Sequence, residues 1–226
     1  MHATQSALVI HDIKNAMALL EIDLEQLNHQ PNVSAEGQRA YRRCIELKNR
    51  LISFLALYKA DQTGLQAMVD EVDLSEFIED LIACSQSVMM AENHHGHEIS
   101  VRADLSRNKT LSGPIEGVGF FDRNLLELAL ESALNNAIRY AHHRVNVWFE
   151  QAPDALSFKV LDDGVGVGLE DELMQRKVAE KSSSTGLGLA LCKAVAEAHG
   201  AGSVSLESVA GGGTLFVMTL HAVSAR

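Results

Sequence analysis

Two stretches in the first sixty residues carry apolar side chains at alternating steps of three and four, and this pattern restricts the fold more than any other feature of the chain. It runs through residues 10–27, stops at the Asn-His-Gln-Pro-Asn segment of residues 28–32, and resumes over residues 40–58. Such steps correspond to the a and d positions of a heptad and predict helices with one apolar seam. Two such helices joined by a short loop predict an antiparallel helical hairpin. The seam residues are Ile10, Ile13, Met17, Leu20, Leu24 and Leu27 in the first helix and Ala40, Cys44, Leu47, Leu51, Phe54 and Tyr58 in the second.

Each predicted helix also has apolar residues beside its seam, and a single hairpin cannot bury all of them. Two hairpins can bury them by forming a four-helix bundle, so we expect a homodimer. The additional apolar positions are Leu8, Leu19, Ile45, Ile52 and Leu55.

The remainder of the chain mixes helix-like and strand-like stretches. Helical periods occupy residues 74–90, 121–141 and 187–199, and strand-like alternation occupies residues 98–105, 145–150, 156–161, 204–208 and 214–221. This mixed order predicts an α/β sandwich. The expected fold is therefore α+β, with a helical hairpin in residues 1–65 and a sandwich domain in residues 66–226.

Composition and charge narrow the class of protein. The 226 residues are 46% apolar, which is typical of a folded chain, and no apolar run approaches the roughly 20 residues that span a bilayer. The net charge of −11 falls on residues 66–226, since residues 1–65 carry seven basic and seven acidic side chains. An acidic sandwich argues against nucleic acid as a partner. Three widely spaced cysteines and the lack of a secretory signal at residues 1–10 favour a reducing, cytoplasmic setting.

Two polar motifs lie on predicted helices. His-Asp-Ile-Lys-Asn at residues 11–15 places His11 beside the seam, next to the carboxylate of Asp12. A carboxylate that holds one ring proton of an imidazole frees the other nitrogen as a nucleophile, and Asn15 lies one turn away on the same face. Asn-Ala-Ile-Arg-Tyr at residues 136–140 offers an amide oxygen for Mg²⁺ and an arginine for phosphate. Alone, the first motif is also compatible with a surface histidine and the second with a polar helix face.

Two glycine motifs follow. Asp-Asp-Gly-Val-Gly-Val-Gly at residues 162–168 comes directly after a predicted strand, and Ser-Ser-Thr-Gly-Leu-Gly-Leu at residues 183–189 opens a predicted helix. A carboxylate at a strand end can accept a hydrogen bond from an exocyclic amine, and backbone N–H groups at a helix start can cradle phosphate. The second motif lacks the Lys-Ser/Thr end of a P-loop, and neither matches a dinucleotide-binding fingerprint. Alone, the first is also compatible with a simple turn.

In this order and spacing, the motifs resemble the catalytic core of bacterial two-component sensor histidine kinases. Residues 11–15 resemble the H box of that family, residues 136–140 the N box, residues 162–166 the first glycine box and residues 185–189 the second. The Gly-x-Gly-Thr sequence at residues 211–214 resembles the closing hairpin. The resemblance covers nearly the whole chain, and it implies a dimerisation and histidine-phosphotransfer hairpin followed by an ATP-binding domain.

The resemblance also implies a role for each matching residue. His11 would take a phosphoryl group from ATP and pass it to an aspartate in the receiver domain of a response regulator, while Asp12 orients or deprotonates the imidazole. Asn136 would ligate Mg²⁺, and Asp162 would bind the adenine amino group. Asn15 implies phosphatase activity toward the phosphorylated regulator, since its amide could hold a water in line with the aspartyl phosphate. The other expected ATP-binding residues are Arg139, Tyr140, Gly164, Gly166, Lys181, Thr185, Gly186, Leu187, Gly188 and Thr214.

The chain departs from the family pattern at several places. Ala16 and Met17 stand where the H box usually has a proline, and Ser132 stands where another asparagine is common. The stretch between the glycine boxes lacks the family's phenylalanine-centred box, although Lys181 could contribute to a basic lid over phosphates. Because no sensor segment precedes His11, the resemblance suggests the cytoplasmic part of a longer sensor protein or a kinase that relies on a separate partner.

Two other functions fit parts of the pattern. Related ATPases of the same superfamily, such as heat-shock chaperones, use a glutamate four residues before the magnesium asparagine to activate water. Ser132 occupies that place here and Glu131 is one residue out of phase, which disfavours hydrolysis as the main task. The second is a non-catalytic phosphotransfer adaptor, which would have disrupted glycine boxes, whereas the boxes here are nearly intact. A nucleotide-binding measurement distinguishes such an adaptor from a kinase.

Overall fold

A computed structural model describes residues 19–20, 22–23, 26, 35–85, 99–108, 117–166, 186–200 and 202–221. The chain divides into two compact units, Met1–Thr63 and Gly64–Arg226, which we describe separately. The described part includes no helix that is both long enough and apolar enough to cross a membrane.

The first unit contains the long helix α1, Ala35–Thr63. The helix stops where the sequence predicts, and Gly64 follows it with a positive φ of 75°, a conformation that glycine adopts without strain at a helix C-terminus. Its buried residues include Tyr41, Cys44 and Ile45. In the preceding predicted helix, the described residues Leu19, Leu20, Ile22, Asp23 and Gln26 have helical backbone, and the others lie outside the described residues.

The second unit is built on a five-stranded sheet of order β2-β4-β5-β7-β6, in which β2 pairs with β4 in parallel and the other pairs are antiparallel. A separate antiparallel pair joins β1 and β3. The strands are β1 (Asp70–Asp73), β2 (Ser100–Ala103), β3 (Val118–Phe121), β4 (Arg144–Ala152), β5 (Ala155–Asp162), β6 (Ser203–Ser208) and β7 (Thr214–His221). The helices are α2 (Leu74–Cys84), α3 (Arg123–Tyr140) and α4 (Leu187–Ala198), with a short 3-10 helix at Leu105–Arg107.

The core lies between the helices and one face of the large sheet. The central strand β5 buries every second residue, as a strand with one covered face should. Phe77 of α2, Phe121 of β3 and Phe158 of β5 meet edge to face, with ring centroids 5.1 to 5.6 Å apart. The predicted α+β class, with helices followed by an α/β sandwich, is confirmed.

Several boundaries differ from the sequence prediction, and three of them are described here. Phe121 ends strand β3 instead of opening the long helix, because Asp122 caps that helix and accepts a hydrogen bond from Leu125 N at 3.0 Å. Leu105 belongs to the 3-10 helix and not to the preceding strand. The predicted helix of residues 74–90 ends at Cys84, and the residues after Ser85 lie outside the described part. The small β1–β3 pair was not predicted, since four-residue strands give little periodic signal.

Candidate nucleotide site

Asp162 is the last residue of strand β5 and is 6% exposed. Its Oδ1 accepts hydrogen bonds from Gly164 N at 2.8 Å and from Thr214 N at 3.2 Å. Burial raises the pKa of the Asp162 carboxyl above its ordinary value of 3.8, and the hydrogen bonds from Gly164 and Thr214 oppose that rise. The side chain is therefore fixed in one orientation and retains acceptor capacity on its carboxylate for a ligand donor.

The glycine turn between β6 and β7 packs directly against this strand end. A Cβ on Gly213, whose φ is 100°, would collide with the backbone oxygen of Asp162, and one on Gly212 would lie 3.2 Å from the Gly164 oxygen. Gly166, with a φ of 83°, lies against the Gly213 oxygen. The closing hairpin thus supports the first glycine motif by backbone contact, and side chains at these positions would push the two apart.

Asp163 has a structural role that the sequence did not reveal. Its Oδ1 accepts hydrogen bonds from the backbone N–H groups of His142, His143 and Arg144 at 2.9 to 3.0 Å. Partial burial acts to raise the pKa of Asp163, but these backbone bonds outweigh it and hold the pKa below 3.8. Asp163 therefore ties the turn after α3 to the end of β5. The doublet of acids before the glycines was the available signal for a second carboxylate.

Helix α3 meets both glycine motifs through its second half. A Cβ on Gly164 would collide with the backbone oxygen of Tyr140, so the turn after β5 lies against the end of α3. A Cβ on Gly188 would collide with Ser132 Oγ and lie 3.6 Å from Asn136 Nδ2. Asn136 is exposed on this face of the helix, so its amide is accessible to a ligand.

The first turn of α4 completes the arrangement. Gly186 precedes the helix with a φ of 70°, and Leu187 is its first residue. The first turn of a helix leaves backbone N–H groups without intrahelical acceptors, and these groups favour an anion such as phosphate. The site therefore combines anion-binding N–H groups, the amide of Asn136 and the carboxylate of Asp162, a set that suits a phosphorylated ligand carrying a hydrogen-bond donor.

Most of the predicted nucleotide residues are in the described part of the chain. The contacts above join Asn136, Tyr140, Asp162, Gly164, Gly166, Gly188 and Thr214, and Gly186 and Leu187 precede and begin the helix that carries Gly188. Arg139 is half-buried in the last turn of α3. The predicted residues His11, Asp12, Asn15, Lys181 and Thr185 lie outside the described residues.

Part of the chain is similar to known proteins. Residues 121–224 match the family described as Histidine kinase-, DNA gyrase B-, and HSP90-like ATPase. The heme sensor protein HssS of Staphylococcus saprophyticus is 25% identical over 224 residues, which is 95% of this chain and 45% of that protein. The sensor histidine kinase CpxA of Escherichia coli K12 is 37% identical over 105 residues, which is 43% of this chain and 23% of that protein.

Residues 121–224 therefore carry a domain of this ATPase family, and the chain is similar to sensor proteins over most of its length. A solved structure of full-length ShkA in complex with AMPPNP has the same fold, with a TM-score of 0.63, 16% identity, and coverage of 99% of this chain and 47% of that one. The match spans less than half the length of either HssS or CpxA.

Proposed function

We propose that the chain binds ATP with Mg²⁺, phosphorylates its own His11 and passes the phosphoryl group to an aspartate of a response regulator. The observation that carries the proposal is the convergence of Asp162, Asn136 and the start of α4 in a domain of this ATPase family. The ShkA structure, which holds an ATP analogue, supports adenine nucleotide as the ligand class.

Asp162 accounts for the choice of base in this proposal. The backbone N–H groups of Gly164 and Thr214 fix the orientation of its carboxylate. An ionised carboxylate only accepts hydrogen bonds, so it favours a purine with an exocyclic amine over one with a carbonyl at that position. Tyr140 and Arg139 end the adjacent helix, and we assign them to the base and the phosphates respectively.

Asn136 and the α4 N-terminus would bind the polyphosphate. The amide oxygen of Asn136 is a hard ligand of the kind that Mg²⁺ prefers, and one protein ligand is enough because the metal keeps waters and phosphate oxygens. Bound Mg²⁺ would neutralise phosphate charge in a domain that is itself acidic. Thr185 and Lys181 are assigned to the phosphate end of the site from their motif positions.

The phosphotransfer steps use few groups, as is usual when positioning supplies most of the catalysis. A ring nitrogen of His11 forms a bond to the γ-phosphorus, the bond to the β,γ-bridging oxygen breaks, and ADP leaves. Asp12 holds or accepts the proton of the imidazole. A carboxylate oxygen of the regulator then attacks the same phosphorus and the nitrogen–phosphorus bond breaks. The ring keeps its proton or regains it from Asp12, so neutral His11 is regenerated.

A second activity is assigned to Asn15, which lies one helical turn from His11 in sequence. Its amide can hold a water in line with the aspartyl phosphate of the regulator, and that water releases inorganic phosphate. The chain would then both phosphorylate and dephosphorylate its partner.

We also propose that the first unit forms a homodimer through a four-helix bundle. Leu47, Phe54 and Tyr58 follow the predicted seam of α1, yet they are 56%, 52% and 46% exposed in the single chain. The rings of Phe54 and Tyr58 stack with centroids 6.3 Å apart, which makes a continuous apolar surface. Burying that surface against a second hairpin would stabilise the pair by the hydrophobic effect.

The cysteines Cys44, Cys84 and Cys192, which form no disulfide in the structure, and the need for ATP support a cytoplasmic setting for this core. Its partner there would be the receiver domain of a response regulator.

Incubation of the full chain with γ-labelled ATP and Mg²⁺ tests the proposal. Wild-type protein should become labelled and pass the label to a receiver domain, whereas His11→Gln should bind nucleotide and remain unlabelled. Asn15→Ala should become labelled normally and release phosphate from the phosphorylated receiver domain more slowly. Label on the His11→Gln protein would exclude His11 as the acceptor, and unchanged phosphate release by Asn15→Ala would exclude the phosphatase role.

A further inference from the structure

Helices α3 and α4, which both contribute to the candidate nucleotide site, lie antiparallel and touch at three points along their length. At one end, Gly188 lies against Ser132 and Asn136. In the middle, the Cys192 thiol donates a hydrogen bond to the Ala129 backbone oxygen at 3.2 Å. At the other end, His199 contacts Asp122, the residue that caps α3. These contacts define how far α4 is shifted along α3.

The His199 ring makes the polar contact between α3 and α4 at the end of the helix pair that is remote from the candidate nucleotide site. The side chain is 2% exposed, and its Nε2 accepts a hydrogen bond from Asp122 N at 2.9 Å. The Nδ1 of the ring lies 2.7 Å from the Val195 backbone oxygen. A backbone N–H can only donate and a carbonyl can only accept, so the ring is neutral and carries its proton on Nδ1.

Asp122 connects this contact to a third segment. Its Oδ1 accepts a hydrogen bond from Leu125 N and caps α3, while its Oδ2 accepts one from Met68 N at 2.9 Å. The chain segment before β1, the start of α3 and the end of α4 therefore meet at one buried carboxylate and one buried imidazole.

We propose that His199 is a positioning residue for the nucleotide site: through Nε2 and Asp122 N it sets the register of α4 along α3, and thereby the position of Gly188 beside Asn136. The proposal rests on the proposed nucleotide site, although its effect on register does not require nucleotide.

The physical reason is the cost of leaving a buried donor without an acceptor. If Nε2 is removed, Asp122 N is buried without a partner, and the helices can regain an acceptor or water only by shifting. The two helices are close together at Gly188, where a Cβ would collide with Ser132 Oγ, so a shift of one helix along the other changes this contact. A shift of α4 along α3 therefore changes the position of Gly188 relative to Asn136.

Two amide variants at position 199 separate the hydrogen bond from the bulk of the ring. His199→Gln places an amide oxygen where Nε2 lies and can accept from Asp122 N. The Asn side chain of His199→Asn is one methylene shorter than Gln. Its amide extends only as far from the backbone as Nδ1 of the histidine ring, so it leaves Asp122 N unpaired. Leu81→Ala, in the buried face of α2, serves as a control that lowers thermal stability away from the α3–α4 contact.

The first measurement is the ¹H–¹⁵N spectrum of the nucleotide-free full chain, well below the melting temperature of every variant. His199→Asn should shift the Asn136 side-chain amide and the Gly188 backbone amide, whereas His199→Gln and Leu81→Ala should leave both near their wild-type positions. The wild-type ring should show the ¹⁵N signature of the neutral Nδ1–H tautomer. Unshifted Asn136 and Gly188 signals in His199→Asn would overturn the proposal.

The second measurement is the affinity for a non-hydrolysable ATP analogue with Mg²⁺. His199→Asn should bind about five- to tenfold more weakly than wild type, and His199→Gln should stay within about twofold. Equal loss in the two amide variants would attribute the effect to the bulk of the ring and overturn the role of Nε2. Failure of the wild-type chain to bind the analogue would instead contradict the proposed function, and the spectra would still decide the register.

Discussion

The Oδ1 atom of Asp162 lies 3.2 Å from the backbone nitrogen of Thr214, although 52 positions separate the two residues in the chain. Because β5 and β7 are paired neighbours in the large sheet, the end of one strand meets the start of the other. The candidate base-binding carboxylate is thus oriented by the closing hairpin as well as by its own glycine turn.

Replacing Asp162 by Asn should weaken nucleotide binding while sparing the fold. The amide oxygen of the variant can still accept from Gly164 and Thr214, but its NH₂ group would face the exocyclic amine of adenine with a donor. We expect the affinity for an ATP analogue to fall about tenfold or more. Titration calorimetry at pH 7 measures this, with Asp154→Asn in the exposed β4–β5 turn as a matched control that should bind like wild type.

The same Asp162→Asn variant has an expected pH signature. Burial raises the folded pKa of Asp162 above 3.8, so the folded state binds this proton more tightly than the unfolded state. Ionisation of Asp162 therefore costs stability, and the cost grows as pH rises from about 3.8 toward the folded pKa. The melting temperature of Asp162→Asn relative to wild type should increase over that interval and then stay constant. A difference that decreases with rising pH would show that the carboxylate is stabilised, not penalised, in the folded state.

Asp163→Ala should show the opposite trend. The backbone N–H groups of His142, His143 and Arg144 hold the pKa of Asp163 below 3.8, so its ionised form stabilises the fold. At pH 7 the variant should lose about 1–2 kcal/mol of unfolding free energy. The loss is this small because the site is partly exposed and solvent screens its charge. The loss should disappear as pH falls through the folded pKa of Asp163. Urea unfolding at pH 7 and in acid tests this, and an equal loss at both pH values would exclude a charge-dependent role.

Alanine substitutions at two glycines of one turn distinguish the cost of backbone strain from the cost of a steric collision. Gly211 and Gly213 both have φ near 100°, but a Cβ on Gly211 meets nothing within 4 Å, whereas one on Gly213 collides with the Asp162 backbone oxygen. Gly211→Ala should cost only the strain of a left-handed residue, about 1–2 kcal/mol. Gly213→Ala should cost more and should also weaken nucleotide binding, because it displaces Asp162. Equal unfolding free energies for the two variants would show that the turn moves freely away from β5.

Gly188→Ala should disturb the contact between α4 and α3, and a second substitution should repair it. The new methyl group would collide with Ser132 Oγ, so we expect lower thermal stability and weaker binding of an ATP analogue. Adding Ser132→Ala removes that oxygen and should restore most of both losses. Such a rescue is a non-additive effect that contacting residues show. If the double variant behaves like the sum of the two single variants, Ser132 and Gly188 are not in contact.

The sequence predicted most elements of the fold because the α1 heptads, the alternation of β5 and the glycine turns are local patterns. It also singled out Asp162, Asn136 and the glycines as candidate site residues, because their chemistry is visible in short motifs. It did not predict the pair β1–β3, the three backbone bonds to Asp163, or the contact of His199 with Asp122. These depend on residues distant in sequence, and a lone histidine at a helix end gives no local sign of its acceptor.

The chemical stability of the phosphoryl linkage tests the central claim most directly. After incubation of the full chain with γ-labelled ATP and Mg²⁺, the labelled protein is divided between mild acid and alkali, and Asn136→Ala is treated in parallel. We expect a label that acid removes and alkali preserves, as a nitrogen–phosphorus bond requires, and almost none on Asn136→Ala. A label that survives acid would place the phosphate on a hydroxyl group, and it would contradict the proposal that this chain phosphorylates its own histidine.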